Sequence, residues 1–119
     1  MKVLSPHRVE RPWGSFDEFV KNTPCTVKII TVNPGEAISL QHHTHRVEFW
    51  VVLKGTGFIT VGDVRTEAHE GDRYNIDVGT NHRAEGGETA LVFLEISTGD
   101  FDEDDIVRVE DKYGRIDNI

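Results

Sequence analysis

The chain has 119 residues, 37% of them apolar, and a formal charge of −8 from 13 Lys and Arg against 21 Asp and Glu. That length supports one domain with a real hydrophobic core, and a single domain over residues 1–119 is the expectation. The acidic balance excludes nonspecific nucleic-acid binding, which needs a basic footprint, and no run approaches the ~20 apolar residues of a membrane span.

The first fourteen residues, MKVLSPHRVERPWG, contain no apolar stretch of signal-peptide length. Lone Cys25 cannot close an internal disulfide, which fits a reducing compartment. A soluble cytoplasmic protein is therefore expected. His7 lies near a chain end, and Trp13 in RPWG is read as a packing residue, as is Trp50.

From Cys25 onward, short apolar or alternating runs recur between Gly, Pro, Asn and Asp breakers. In chain order they are CTVKIITV, AISLQHH, VEFWVVLK, GFITVG, DRYNI, TALVFLEIS and DIVRVE, separated by NPGE, KGTG, HEGD, DVGTN and EGGE. Their Val, Ile, Phe and Thr content suits pleated surfaces, and strands at this spacing predict an all-β sandwich or small barrel. VEFWVVLK carries Glu48, Trp50 and Val52 on one face and Phe49, Val51 and Leu53 on the other. Apolar side chains on both faces predict a central strand covered on both sides or lying at an interface, and a homodimer is expected on that ground. The acidic stretch GDFDEDD, 99–105, reads as a solvated loop.

The chemistry concentrates in LQHHTH. Side chains alternate along an extended chain, so Gln41, His43 and His45 share one face, with His42 and Thr44 on the other. His42 and His69 are expected to face solvent. Glu48 follows in a region that reads as buried, where a carboxylate needs a cation, a strong donor or a metal. His82 comes after the DVGTN turn. Gln41, His43, Glu48 and His82 thus offer an amide oxygen, two imidazoles and a carboxylate to a divalent ion, with open positions left over. That donor mix suits Zn, Mn, Fe, Co or Ni rather than a thiolate-selected metal. The competing structural readings are a turn histidine at His82, an ion pair of Glu48 with Arg46 or Arg83, and a strand-edge hydrogen bond at Gln41.

These two glycine-led modules, Gly35 to Gly55 and Gly71 to His82, resemble those of the cupin superfamily. Gln41 stands where many cupins have histidine, and Asp77 where the second motif often has proline. The resemblance implies a double-stranded β-helix, or jelly roll, with a metal inside the barrel. RPWGSF, VNPGEAISLQHHTHRVEFWVVLKGTG, GTNHR and EDDIVRVEDKYGR are together similar to the cupin domain of type II phosphomannose isomerases. That domain often forms the C-terminal part of bifunctional mannose-1-phosphate guanylyltransferases. Thr44 and Phe49 replace two histidines of the family hallmark, and no Gly-rich nucleotide-binding start precedes the motif.

The resemblance implies a stand-alone, metal-dependent isomerase interconverting mannose 6-phosphate and fructose 6-phosphate. Its alternatives are a non-catalytic cupin that binds a sugar or metabolite, and an iron dioxygenase. An aldose–ketose isomerase needs a base, an electrophile and a cationic phosphate seat. His45 is preferred as the base, with Glu48 the alternative, because histidine titrates near operating pH. Arg46 is the first candidate for the sugar phosphate, Arg115 the second and Arg83 the third, since guanidinium grips phosphate in a two-pronged way.

Overall fold

Residues 3–100, 102 and 104–115 are described in the computed structural model, and among them the breakers end strands rather than helices. Eleven strands result: β1 (His7–Arg11), β2 (Gly14–Glu18), β3 (Thr26–Val32), β4 (Leu40–His42), β5 (Arg46–Lys54), β6 (Gly57–Val61), β7 (Val64–Ala68), β8 (Arg73–Ile76), β9 (His82–Gly86), β10 (Leu91–Gly99) and β11 (Val107–Glu110). β1 and β2 make a hairpin. The others form a four-stranded sheet, β3-β10-β5-β8, and a five-stranded sheet, β11-β4-β9-β6-β7.

Four strands, β1, β2, β7 and β9, were not apparent from the runs of apolar residues. β7 reads VRTEA with only Ala68 buried, and β1 and β2 are similarly exposed. Such segments carry no period-2 hydrophobic signal. They become strands because a neighbour offers a complete ladder, as β6 does for β7 and β9.

β5 is buried on both faces, as its pattern predicts. Part of the outer cover is the chain's own: Phe19, just after β2, stacks on Phe49 with ring centroids 5.8 Å apart. The inward face of β5 changes character along its length. Val52 and Trp50 join Phe93, Leu91, Ile59, Ile76 and Ala84 in the core, whereas Glu48 and Arg46 continue the same face as buried charges. Each fully buried large apolar side chain contributes about 1.5–3 kcal/mol. That end of the structure offsets the desolvation of the polar end.

Gly55, in the tight β5–β6 connection, has φ +96°, and a Cβ there would lie 1.7 Å from the Ala90 carbonyl oxygen. Two readings of single residues are corrected. Trp13 is 74% exposed, because it occupies the turn between β1 and β2 with the hairpin projecting away from the core. His42 is half-buried, its Nδ1 3.0 Å from Asn81 Oδ1, because the 77–81 turn folds over β4. His69 is exposed as expected.

Candidate metal centre

Three side chains converge at the polar end. Glu48 points inward from β5, His82 opens β9, and His43 follows the last residue of β4. One potential ligand atom from each lies within 4.8 Å of the others. All three are buried, with exposures of 5% for His43, 2% for Glu48 and 1% for His82. Glu48 sits between the imidazoles, Oε2 at 3.4 Å from His43 Nε2 and Oε1 at 3.4 Å from His82 Nε2.

The tautomers follow from the backbone. His43 Nδ1 is 2.6 Å from the Asp105 carbonyl oxygen, and His82 Nδ1 is 2.8 Å from that of Thr80. A carbonyl only accepts, so each Nδ1 carries the proton and each Nε2 presents a lone pair to the centre. His82 Nε2 is buried without a hydrogen bond. A lone pair facing a carboxylate oxygen at 3.4 Å is repulsive unless a proton or cation lies between them. Two imidazole nitrogens and a carboxylate oxygen, so oriented, fit a divalent transition metal.

The electrostatics agree. Burial holds His43 below its ordinary imidazole value, favouring the neutral, ligating form. Burial pushes Glu48 upward, but His82 and His43, when a proton rather than a metal occupies the Nε2 side, together with Arg46 outweigh it and bring the carboxyl down to about 2. Arg46 is itself buried. Its Nε donates to Glu48 Oε2 at 3.0 Å, its Nη1 donates to the Asp102 carbonyl at 3.1 Å, and its Nη2 lies 3.2 Å from His43 Nε2. The ion-pair reading of Glu48 is therefore also present in the same site.

Trp50 does more than pack. Its indole N–H is shared between Glu48 Oε1 at 3.3 Å and Glu95 Oε2 at 3.2 Å. Glu95 lies opposite Trp50 in the β10–β5 register. Burial, then the nearby Glu48 charge, raises its carboxyl to about 7. These groups line a cavity of about 160 Å³ together with Lys28, Ile30, Ile38, Gln41, Ile106 and Arg108. Larger grooves exist outside the barrel. One of about 420 Å³ is lined by Glu36, Arg83, Glu110 and Lys112, whose charges pair with one another.

Gln41 faces the cavity and is paired with His82 between β4 and β9. The structure does not bring His45 there. β4 ends at His42, so the alternation that would align His45 with His43 stops. The His45 side chain is 69% exposed, its Nδ1 2.9 Å from Thr44 Oγ1 and 3.5 Å from Asp105 Oδ2. Arg115 is half-exposed and bound to Asp111 at 2.8 Å, in a separate groove with Thr31 and Tyr113. Arg83 donates to the Ile38 carbonyl and to Glu110 on the outside of β9.

The acidic 99–105 stretch is not simply a solvated loop. Phe101 and Glu103 lie outside the described residues, but Asp105 accepts hydrogen bonds from Thr44 N, Thr44 Oγ1 and His45 N at 2.8–2.9 Å. Burial pushes its carboxyl upward, and these donors more than reverse that, to about 2. Gly79 N also donates to the His43 carbonyl at 2.7 Å. The His43 segment is thus clasped from both sides. Glu95 was legible as an odd position beside Leu91 and Phe93 in TALVFLEIS; Asp105, among several acids, carried no distinguishing signal.

Comparison with known proteins places the chain in a family. The family described as "Mannose-6-phosphate isomerase C-terminal" matches residues 2–111. Xanthan biosynthesis protein XanB of Xanthomonas campestris pv. campestris is 43% identical over 110 residues, covering 91% of this chain and 24% of that protein. Mannose-1-phosphate guanylyltransferase ManC of Salmonella typhimurium is 42% identical over 113 residues, covering 92% and 24%. Among solved structures, the capsular polysaccharide assembling protein CapF of Staphylococcus aureus superposes with a TM-score of 0.65 at 23% identity, over 89% of this chain and 34% of that one. A cupin-2 domain from Rhodospirillum rubrum superposes with a TM-score of 0.63 at 19% identity, over 84% and 72%. At such identities these structures speak to fold alone, and the fold is the cupin double-stranded β-helix.

The chain spans about a quarter of the length of the curated relatives it matches. The expectation of a stand-alone isomerase of mannose 6-phosphate is corrected by those relatives, which carry guanylyltransferase and polysaccharide-biosynthesis names. A motif reports the family of a domain, and the same domain serves proteins of different activity.

Proposed function

The chain belongs to the mannose-6-phosphate isomerase C-terminal family, and from that premise we propose that it is the metal-loaded, mannose-phosphate-binding unit of an enzyme of mannose phosphate metabolism. The observation that carries this reading is the pair of inward Nε2 lone pairs of His43 and His82 flanking the buried Glu48 carboxylate. His43, Glu48 and His82 would hold the ion, with Gln41 the fourth candidate ligand, and Zn, Mn, Co, Ni and Fe all suit the donors. When bound, a divalent ion supplies a Lewis acid for sugar oxygens.

The chain's own residues do the rest. The Asp105 and Thr80 carbonyls fix the imidazole tautomers. The Trp50 indole orients Glu48 and Glu95 together. Glu95 holds a proton near neutral pH, within reach of whatever occupies the cavity. Ile30, Ile38 and Ile106 form the apolar part of its wall, which raises the strength of each polar contact.

Among the described residues no helix is long and apolar enough to cross a membrane. A cytoplasmic location is part of the proposal, supported by the free, exposed Cys25. So is self-association, supported by the apolar outer side chains Val27, Ile29 and Leu53 of the four-stranded sheet.

The test is calorimetric titration of metal-free protein with each ion, followed by mannose 1-phosphate and mannose 6-phosphate. The expected result is one ion per chain and sugar-phosphate binding that requires it. Binding of sugar phosphate to metal-free and metal-loaded protein with equal affinity would refute the metal-centred reading.

A further inference from the structure

Of the cations expected from sequence to seat a phosphate, Arg115 and Arg83 lie outside the barrel and Arg46 lines the cavity against Glu48. Two other cations project into the cavity. Lys28 lies on the inward face of β3, opposite Glu95 in the β3–β10 register. Arg108 lies on β11 opposite Gln41, which is itself opposite His82.

Both residues line the same cavity as His43, Glu48 and His82. β3 is the edge of one sheet and β11 the edge of the other. β3 is two strands from β5, which carries Glu48, and β11 is two strands from β9, which carries His82. Two strand spacings are ~10 Å, and long Lys and Arg side chains shorten that gap as they reach inward. We propose that Lys28 and Arg108, which line this cavity from the two sheets, form the seat for the phosphoryl group of the sugar phosphate, with the sugar extending toward His43, Glu48 and His82. This inference rests on the functional reading above for the identity of the ligand, but not for the existence of an anion site.

Charge balance supports it. The cavity wall holds three cations, Lys28, Arg46 and Arg108, against two acidic groups, Glu48 and Glu95, so cations are in excess even when both acids are ionised. A divalent ion added to that set leaves an excess of positive charge in a confined, low-dielectric space. A phosphoryl dianion compensates that excess, whereas a neutral sugar does not. The guanidinium of Arg108 offers a planar fork matched to phosphoryl oxygens, and the ammonium of Lys28 a point charge beside it.

The experiment uses the metal-loaded full chain. Binding of mannose 6-phosphate, mannose 1-phosphate and inorganic phosphate is measured for wild type, Lys28→Met, Arg108→Met, Arg108→Lys and the external control Lys112→Gln. The expected result is a loss of at least tenfold in affinity for at least one mannose phosphate in each Met variant, partial recovery in Arg108→Lys, and no change in the control. Metal affinity stays within about threefold throughout. In parallel, the Arg108 side-chain Nε–Hε resonance of wild type is followed during titration with inorganic phosphate, which requires no variant to fold, and it should shift saturably. If wild type binds a mannose phosphate and both Met variants match it within twofold, the seat is overturned and the functional reading stands. If phosphate shifts Arg108 but neither mannose phosphate binds, the functional reading falls and the anion seat stands. If neither phosphate nor sugar phosphate binds, both are overturned.

Discussion

Glu95 and Glu48 share one indole donor, yet burial and the Glu48 charge raise one carboxyl while neighbouring cations lower the other, on adjacent strands. Glu95 is raised to about 7 from an ordinary value of 4.5. A group raised in the fold holds its proton there more tightly than in the unfolded chain, so stability falls as pH rises from about 4.5 to about 7. Glu95→Gln should therefore gain stability relative to wild type, on the order of 2 kcal/mol at pH 8, and much less at pH 4.5. Urea denaturation of both metal-free proteins at the two pH values reads this. His43, lowered by burial, acts in the opposite sense, costing stability as pH falls below 6.5, so the comparison is made at each pH separately.

Glu48→Gln tests the centre itself. Arg46 would keep its buried charge and lose its carboxylate partner, which costs about 3 kcal/mol in the metal-free fold. Metal affinity should fall at least a hundredfold in calorimetry. A variant that binds metal like wild type would remove Glu48 from the ligand set. His45 illustrates how a residue of the right chemistry ends up elsewhere: one turn after β4 sends it to solvent, whereas His43, two residues earlier, is held inside by the Asp105 carbonyl.

At the scale of elements, the fold is pinned by a clasp and a close approach. Asp105 ties the segment after β4 through two backbone N–H groups and one hydroxyl. Asp105→Ala should destabilise the protein by about 2 kcal/mol and weaken metal binding about tenfold, because the side-chain clasp that keeps the Asp105 carbonyl against His43 is lost while the carbonyl itself remains. The carboxyl is lowered from 3.8 to about 2, so its contribution is present above pH 3.8 and lost as pH falls toward 2. Thermal melts across that window should show the wild type converging on the variant. At the β5–β6 connection, Gly55→Ala forces a Cβ against the Ala90 carbonyl. The expected cost is about 3 kcal/mol or more, whereas Gly62→Ala, with nothing within 4 Å of its added Cβ, should cost about 1 kcal/mol.

At the scale of the whole molecule, the two sheets carry separate duties. Their inward faces hold the core and the cavity, while the outer face of the four-stranded sheet leaves Ile29 65% exposed beside Val27. Contiguous exposed apolar side chains of this kind mark interaction surfaces. Light scattering should read the mass of a dimer, and Ile29→Glu should return a monomer with metal affinity unchanged. A monomeric wild type at micromolar concentration would refute the pairing.

The amino-acid order alone determined the all-β character, the two-sided burial of β5 and the identity of His43, Glu48 and His82 as a candidate set. These follow from side-chain alternation and residue chemistry, which are local. It missed β7 and β9 because their polar side chains become strand only when β6 supplies the ladder. Tertiary structure alone decided that His45 leaves the cavity, that Asp105 becomes a clasp, and that Lys28 and Arg108 enter the cavity wall. Each of those outcomes depends on where a strand stops and which residue it faces across a sheet. Register and bends are properties of the packed pair, so no single segment contains them.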